Sequence, residues 1–129
     1  MKIKRNKTFS GTPWEPKMGY ARAVQVGDVV HVSGTTGTDP SGKVLAPGDM
    51  YAQTVQTIRN IEGALQRLGL GLEHVVRTRI YVTQIDRWEE VAKAHAEFFG
   101  QIHPATSLIG VARLIDPEML VEIEADAVA

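Results

Sequence analysis

A chain of 129 residues is the length of one domain, long enough to bury about two-thirds of the surface its unfolded form exposes and so to build a core. With 14 basic and 15 acidic residues the formal net charge is -1, and neither half is strongly basic, which argues against nucleic acid as a main partner. The absence of cysteine excludes disulfides, thiolate metal sites and cysteine nucleophiles.

The first dozen residues are polar, and 1–17 is expected to be a looser N-terminal segment of a single domain spanning 1–129. The opening MKIKRNKTFSG is basic with no apolar run behind it, unlike a secretory signal. In "ARAVQVGDVVHVSG" (21–34) two β-rich runs meet at Gly27-Asp28, which predicts a hairpin. "TDPSGKVL" (38–45) has the composition of a tight turn. Tyr51, Thr54, Val55, Ile58, Ile61, Leu65 and Leu68 recur at helical spacing, with Asp49 as N-cap and Gly69 as stop, predicting a helix over 50–68.

"HVVRTRIYVT" (74–83) predicts a strand with Val76, Thr78, Ile80 and Val82 on one face. Asp86 to Glu89 resembles an acidic capping box opening a second helix to residue 99, with Trp88, Val91, His95 and Phe98 on its apolar stripe. Residues 106–114 and 120–129 predict two further strands, around the Asp116-Pro117 turn. In the last of these, parity puts Val121, Ile123, Ala125 and Ala127 on one face and Glu122, Glu124 and Asp126 on the other.

Two helices can cover one face of such a sheet. The other face then carries Arg77, Arg79 and Tyr81 with the three acids, and either Val29, His31 and Ser33 or their alternates. A mixed polar and apolar face of this kind suits packing against further copies of the chain. No stretch approaches the roughly 20 apolar residues of a membrane span, so a soluble cytoplasmic protein is expected. His31, His74, His95 and His103 lack metal-site spacing, and no metal is expected.

Three segments carry a resemblance to the YjgF/RidA family (reactive intermediate deaminases, L-PSP endoribonuclease-like). "GYARAVQVGDVVHVSG" resembles its Pro-Tyr-Ser-Gln-Ala-Val, glycine turn and Val-Ser-Gly. "VVRTRIYVTQIDRWEEV" is similar to its Val-Val-Lys-Thr strand and acidic helix start. "HPATSLIGVARLIDPEMLVEIEADAV" is similar to its Pro-Ala-Arg-Ser, Val-Ala-Arg-Leu and Val-Glu-Ile-Glu-Ala signature. The likeness runs over about 18–128.

The resemblance implies an α+β, chorismate-mutase-like fold: a mixed sheet with two helices on one face, assembled as a homotrimer around a central β-barrel. It implies three clefts between subunits and cofactor-free hydrolysis of small imines or enamines. Tyr20, Ser33 and Gly34 fall on substrate-binding positions, with Gly19 where the family has proline, and Glu122 falls on the residue that handles water and protons. A structural carboxylate paired with Arg77 or Arg79 is the alternative for Glu122.

The family's substrate-clamping arginine is Thr106 here, so the chain looks like an arginine-lacking branch. A guanidinium grips a carboxylate through two charged hydrogen bonds, where a hydroxyl offers one neutral donor. Thr106 and Ser107 are candidate ligand donors or an ordinary strand start, and Arg22 is a candidate replacement cation or an exposed strand arginine. His31 is a candidate proton shuttle or a packed histidine; His95 is read as core-edge, Trp88 and Phe98 as core, and Arg113 as structural or a subunit contact. The expected partner is a small molecule, carboxylate-bearing or not. The implied activity is hydrolytic deamination; the alternatives are a metabolite-binding trimer without turnover and, with less support, an endoribonuclease or translation inhibitor.

Overall fold

The computed structural model describes residues 3–129. Six strands form one mixed sheet: β1 (Arg5–Thr8), β2 (Ala23–Val26), β3 (Val29–Thr35), β4 (Val75–Val82), β5 (Ala105–Gly110) and β6 (Val121–Val128), in the order β1-β2-β3-β6-β4-β5. Only β4 and β5 pair in parallel. Helices α2 (Met50–Arg67) and α3 (Trp88–Phe99) pack on one face, over a core that includes Met50, Ile58, Ile61, Leu65, Val91 and Phe99 against Val30, Ile80, Val121 and Ile123. The fold is the expected α+β arrangement, with helices on a single side.

Local chemistry explains most boundaries. Gly27 takes a positive φ in the two-residue β2–β3 turn, and Asp39 accepts from the backbone N–H of Ser41 and Lys43 in the 38–45 turn. Asp49 caps α2 by accepting from Ala52 N at 2.9 Å, and Gly69, at φ 81°, lets the chain leave α2 in the left-handed region.

Four expectations need correction. Two elements lie where the sequence predicts none: β1 pairs with β2, and the short helix α1 (Trp14–Met18) follows it. Val76 is 49% exposed, because the β4–β6 register slips by one residue between Val75 and Arg77. The bulge reverses parity there, so Val75 rather than Val76 joins the core. Trp88 is also 49% exposed, and Phe99, not Phe98, is the fully buried ring of α3. Finally, Asp86 caps nothing: a 3₁₀ turn (Ile85–Arg87) leads into α3, and the ion pair there joins Arg87 to Glu90 at 2.7 Å.

The uncovered face settles the register of β3. His31 stands opposite Asp126, while Arg79 faces Glu124 and Tyr81 faces Glu122. Apolar residues share this surface: Val29, Ile109 and Val128 are exposed along it.

Candidate active site

The three acids on β6 have different surroundings. Asp126 bridges two strands, accepting from Arg79 Nη1 at 3.1 Å and lying 2.8 Å from His31 Nδ1. Burial pushes its carboxyl up, but those bonds outweigh burial and hold it below the usual range. The partner is therefore Asp126, not Glu122, for Arg79, and His31 is an exposed member of this pair. Glu124 accepts the Tyr81 hydroxyl. Glu122 alone of the three accepts no hydrogen bond among the described residues. Its carboxyl is pushed above the usual carboxylate range, chiefly by burial and next by the Glu124 charge, with Arg22 pulling the other way. A carboxyl held in this way keeps its proton to higher pH than an ordinary one, which suits acid–base work.

Backbone geometry makes the seat for that carboxyl. Val32 pairs with Ala125 and Thr35 with Ile123, so Ser33 and Gly34 together stand opposite one residue of β6. This bulge brings Gly34 against Glu122: a Cβ at Gly34 would lie 2.6 Å from Glu122 Oε2. Any side chain at position 34 would push the Glu122 carboxyl from this place. Ser33 Oγ donates to Ala21 O at 2.7 Å, tying the bulge to the chain entering β2.

Around this point lies a cavity of about 460 Å³. Tyr20, Arg22, Ser33, Gly34 and Glu122 all line it. Its other walls include Trp14 and Met119 and the neutral polar Thr35 and Asn60, none of which the sequence picked out. Asn60 is fixed by donating to Thr36 O and Thr38 O, both at 2.9 Å. Arg22 is neither exposed nor free. It is 5% exposed and all its N–H groups point to internal acceptors: Glu15, Thr12, Tyr20 OH, Thr35 and the Gly34 carbonyl.

Thr106 and Ser107 are not in this cavity. They lie exposed on β5, at the opposite edge of the sheet from β1. Thr106 Oγ1 donates to Pro104 O at 3.1 Å and lies 2.8 Å from Thr78 Oγ1, which in turn meets His95 Nε2 at 2.9 Å. Each bond of this chain has its own proton only when His95 carries a hydrogen at Nε2, donating to Thr78 as Thr78 donates to Thr106. Burial lowers the His95 pKa, which favours the neutral ring. Arg113 is exposed in the segment after β5. Among the described residues no group of three or more His, Cys, Asp or Glu is placed to hold a metal ion, and no helix is long and apolar enough to cross a membrane.

The family model described as endoribonuclease L-PSP matches residues 12–129. The chain belongs to the YjgF/RidA family. Among solved structures, a Mycobacterium tuberculosis member of the YjgF/YER057c/UK114 family is 49% identical with a TM-score of 0.88, over 98% of this chain and 100% of that one. Mouse 2-iminobutanoate/2-iminopropanoate deaminase is 32% identical, over 95% of this chain and 90% of its own. Escherichia coli TdcF, solved with bound serine, is 25% identical with a TM-score of 0.78, over 85% of this chain and 87% of that one. This member of the family thus has a relative that is an imine deaminase and one that holds a small amino acid.

Proposed function

We propose that this YjgF/RidA protein hydrolyses a small imine or enamine in the cavity beside Glu122. The observation that carries the reading is the Glu122 carboxyl seated against the Gly34 backbone with no hydrogen-bond partner among the described residues, its pKa raised by burial. The reaction balances with this one group. Glu122 gives its proton to the imine nitrogen, and the carboxylate then takes a proton from the water that adds to carbon, leaving a carbinolamine. Glu122 returns that proton to the amine nitrogen, the C–N bond breaks as ammonia leaves, and the hydroxyl proton passes back to the carboxylate as the carbonyl forms. The products are a carbonyl compound and ammonia.

The favoured substrate lacks a carboxylate that needs an ionic clamp. Arg22 has its donors engaged, Thr106 has no charge to offer, and the other two arginines lining the cavity have contacts of their own, Arg59 over the Phe98 ring and Arg67 donating to Thr8 Oγ1. Hydrolysis followed by ammonia release tests this reading. The native protein should accelerate release above the protein-free rate, more for an imine without a carboxylate than for 2-iminopropanoate. Tight binding of such compounds with no acceleration for any of them would instead favour a binding trimer.

The proposed assembly is a homotrimer in which the uncovered sheet faces meet. Val29, Ile109 and Val128 on that face gain cover, and β5 of one subunit, with Thr106 and Ser107, comes to the cavity of its neighbour. Light scattering should give three times the 14.1 kDa chain mass. A stable monomer would remove both the barrel and the shared cleft.

A further inference from the structure

Glu15 and Arg22 are almost wholly buried, at 2% and 5% exposure, and form an ion pair of 3.1 Å beside the cavity. Glu15 also accepts from Ser10 N at 3.0 Å, Gly11 N at 3.4 Å and Thr12 Oγ1 at 3.0 Å, and from the Ser10 hydroxyl. The pair therefore ties the β1–α1 loop to the start of β2. Its outward contacts are more telling. Arg22 Nη1 donates to the Gly34 carbonyl at 2.6 Å, and Nη2 reaches Tyr20 OH at 3.4 Å, with the guanidinium 5.5 Å from the Tyr20 ring centroid. The two groups it holds are the glycine against which Glu122 rests and the tyrosine lining the same cavity.

We infer that Glu15 and Arg22 are a positioning dyad for Glu122, fixing the Ser33–Gly34 bulge and Tyr20 around it. This rests on the reading of Glu122 as the acid–base group. A buried pair held by so many bonds has one rigid geometry, so its field at Glu122 is constant. Arg22 favours the carboxylate form of Glu122, and a negative charge beside Arg22, as on Glu15, acts in the opposite sense.

Among the described residues, other charged or titratable groups face Glu122 from three sides. On β6 the neighbour is Glu124, and on β4 it is Tyr81, bonded to Glu124. Across the cavity stand Arg59 and Arg67 of α2, and Asp39 of the 38–45 turn, which is bonded to Ser41 and Lys43. None of these bonds to Gly34 or Tyr20.

The test is a carbon-13 titration of the Glu122 side-chain carboxyl in the full chain, which needs no substrate. Arg22→Gln should move the midpoint to higher pH and Glu15→Gln to lower pH, the first shift being the larger. Arg22→Lys, which keeps the charge, should titrate close to the native protein. It should nevertheless lower kcat more than it raises KM, because the fork to Gly34 and Tyr20 is lost. A purely structural pair would leave the midpoint unmoved in folded variants, or move it the same way in both charge-removing ones; either result overturns the dyad. Should Arg22→Gln not fold, Glu15→Gln and Arg22→Lys decide alone. Opposite shifts without any hydrolysis would keep the dyad and defeat the deaminase reading, so the two failures are distinguishable.

Discussion

Glu122→Gln should lower imine hydrolysis by about 10²–10⁴-fold, the usual worth of a positioned acid–base group. The amide keeps the shape of the carboxyl but cannot deliver or take the proton. Folding should survive, since Glu122 accepts no hydrogen bond among the described residues and so loses none. Removing a half-buried ionisable group should leave the melting temperature equal or higher, because burial disfavours its charged form. Activity and thermal melting on the same sample check the prediction. A fully active variant, or one that fails to assemble, would make Glu122 a structural residue.

Thr106→Arg should raise activity on 2-iminopropanoate-type imines by about tenfold to a hundredfold over a weak native rate. A charged bidentate grip on the carboxylate gains about 1.5–3 kcal/mol over a single neutral donor. The position tolerates the change: Thr106 is exposed, and its hydroxyl serves only Pro104 O and Thr78. Losing those contacts should cost roughly 1 kcal/mol of stability, with Thr78 still paired to His95. Within one subunit residue 106 lies outside the Glu122 cavity, so any gain requires a neighbour's β5 to reach that cavity. No gain in a folded trimer would show that more than the clamp has diverged. Strong native activity would show that some other group already grips the carboxylate.

The β6 parity was legible in the sequence because one row of that strand is wholly apolar and the other acidic, which fixes the register. The Gly27-Asp28 hairpin and the Asp49 cap were equally plain, since turn and cap chemistry are local. Val76 was misplaced because a bulge leaves no compositional trace in a run of β-branched residues. Trp88 was misplaced because a 3₁₀ entry rotates the helix stripe relative to the count from Asp86. At the site, motif resemblance picked out Tyr20, Ser33, Gly34 and Glu122, and the structure puts them around one cavity. The glycine inside a strand pattern at Gly34 was the available sign of a bulge and a close approach. Glu15 went unnoticed, although Thr12-Pro13-Trp14-Glu15 has the Ser/Thr-x-x-Glu spacing of a capping box. Its pairing with Arg22 depends on β1, β2 and α1 meeting, which no local pattern announces. That Arg22 is buried and fully engaged was invisible for the same reason.

The pH dependence of hydrolysis by the native protein, corrected for the protein-free rate and run beside Glu122→Gln, bears most directly on Glu122 as the proton-handling group. With the protonated carboxyl starting the reaction, the protein-dependent rate should be full at low pH and fall as pH rises through a midpoint above the usual carboxylate range, because burial raises that pKa. The limb should vanish, together with most of the rate, in Glu122→Gln. A protein-dependent rate without that inflection, or the same profile in the variant, would contradict the assignment.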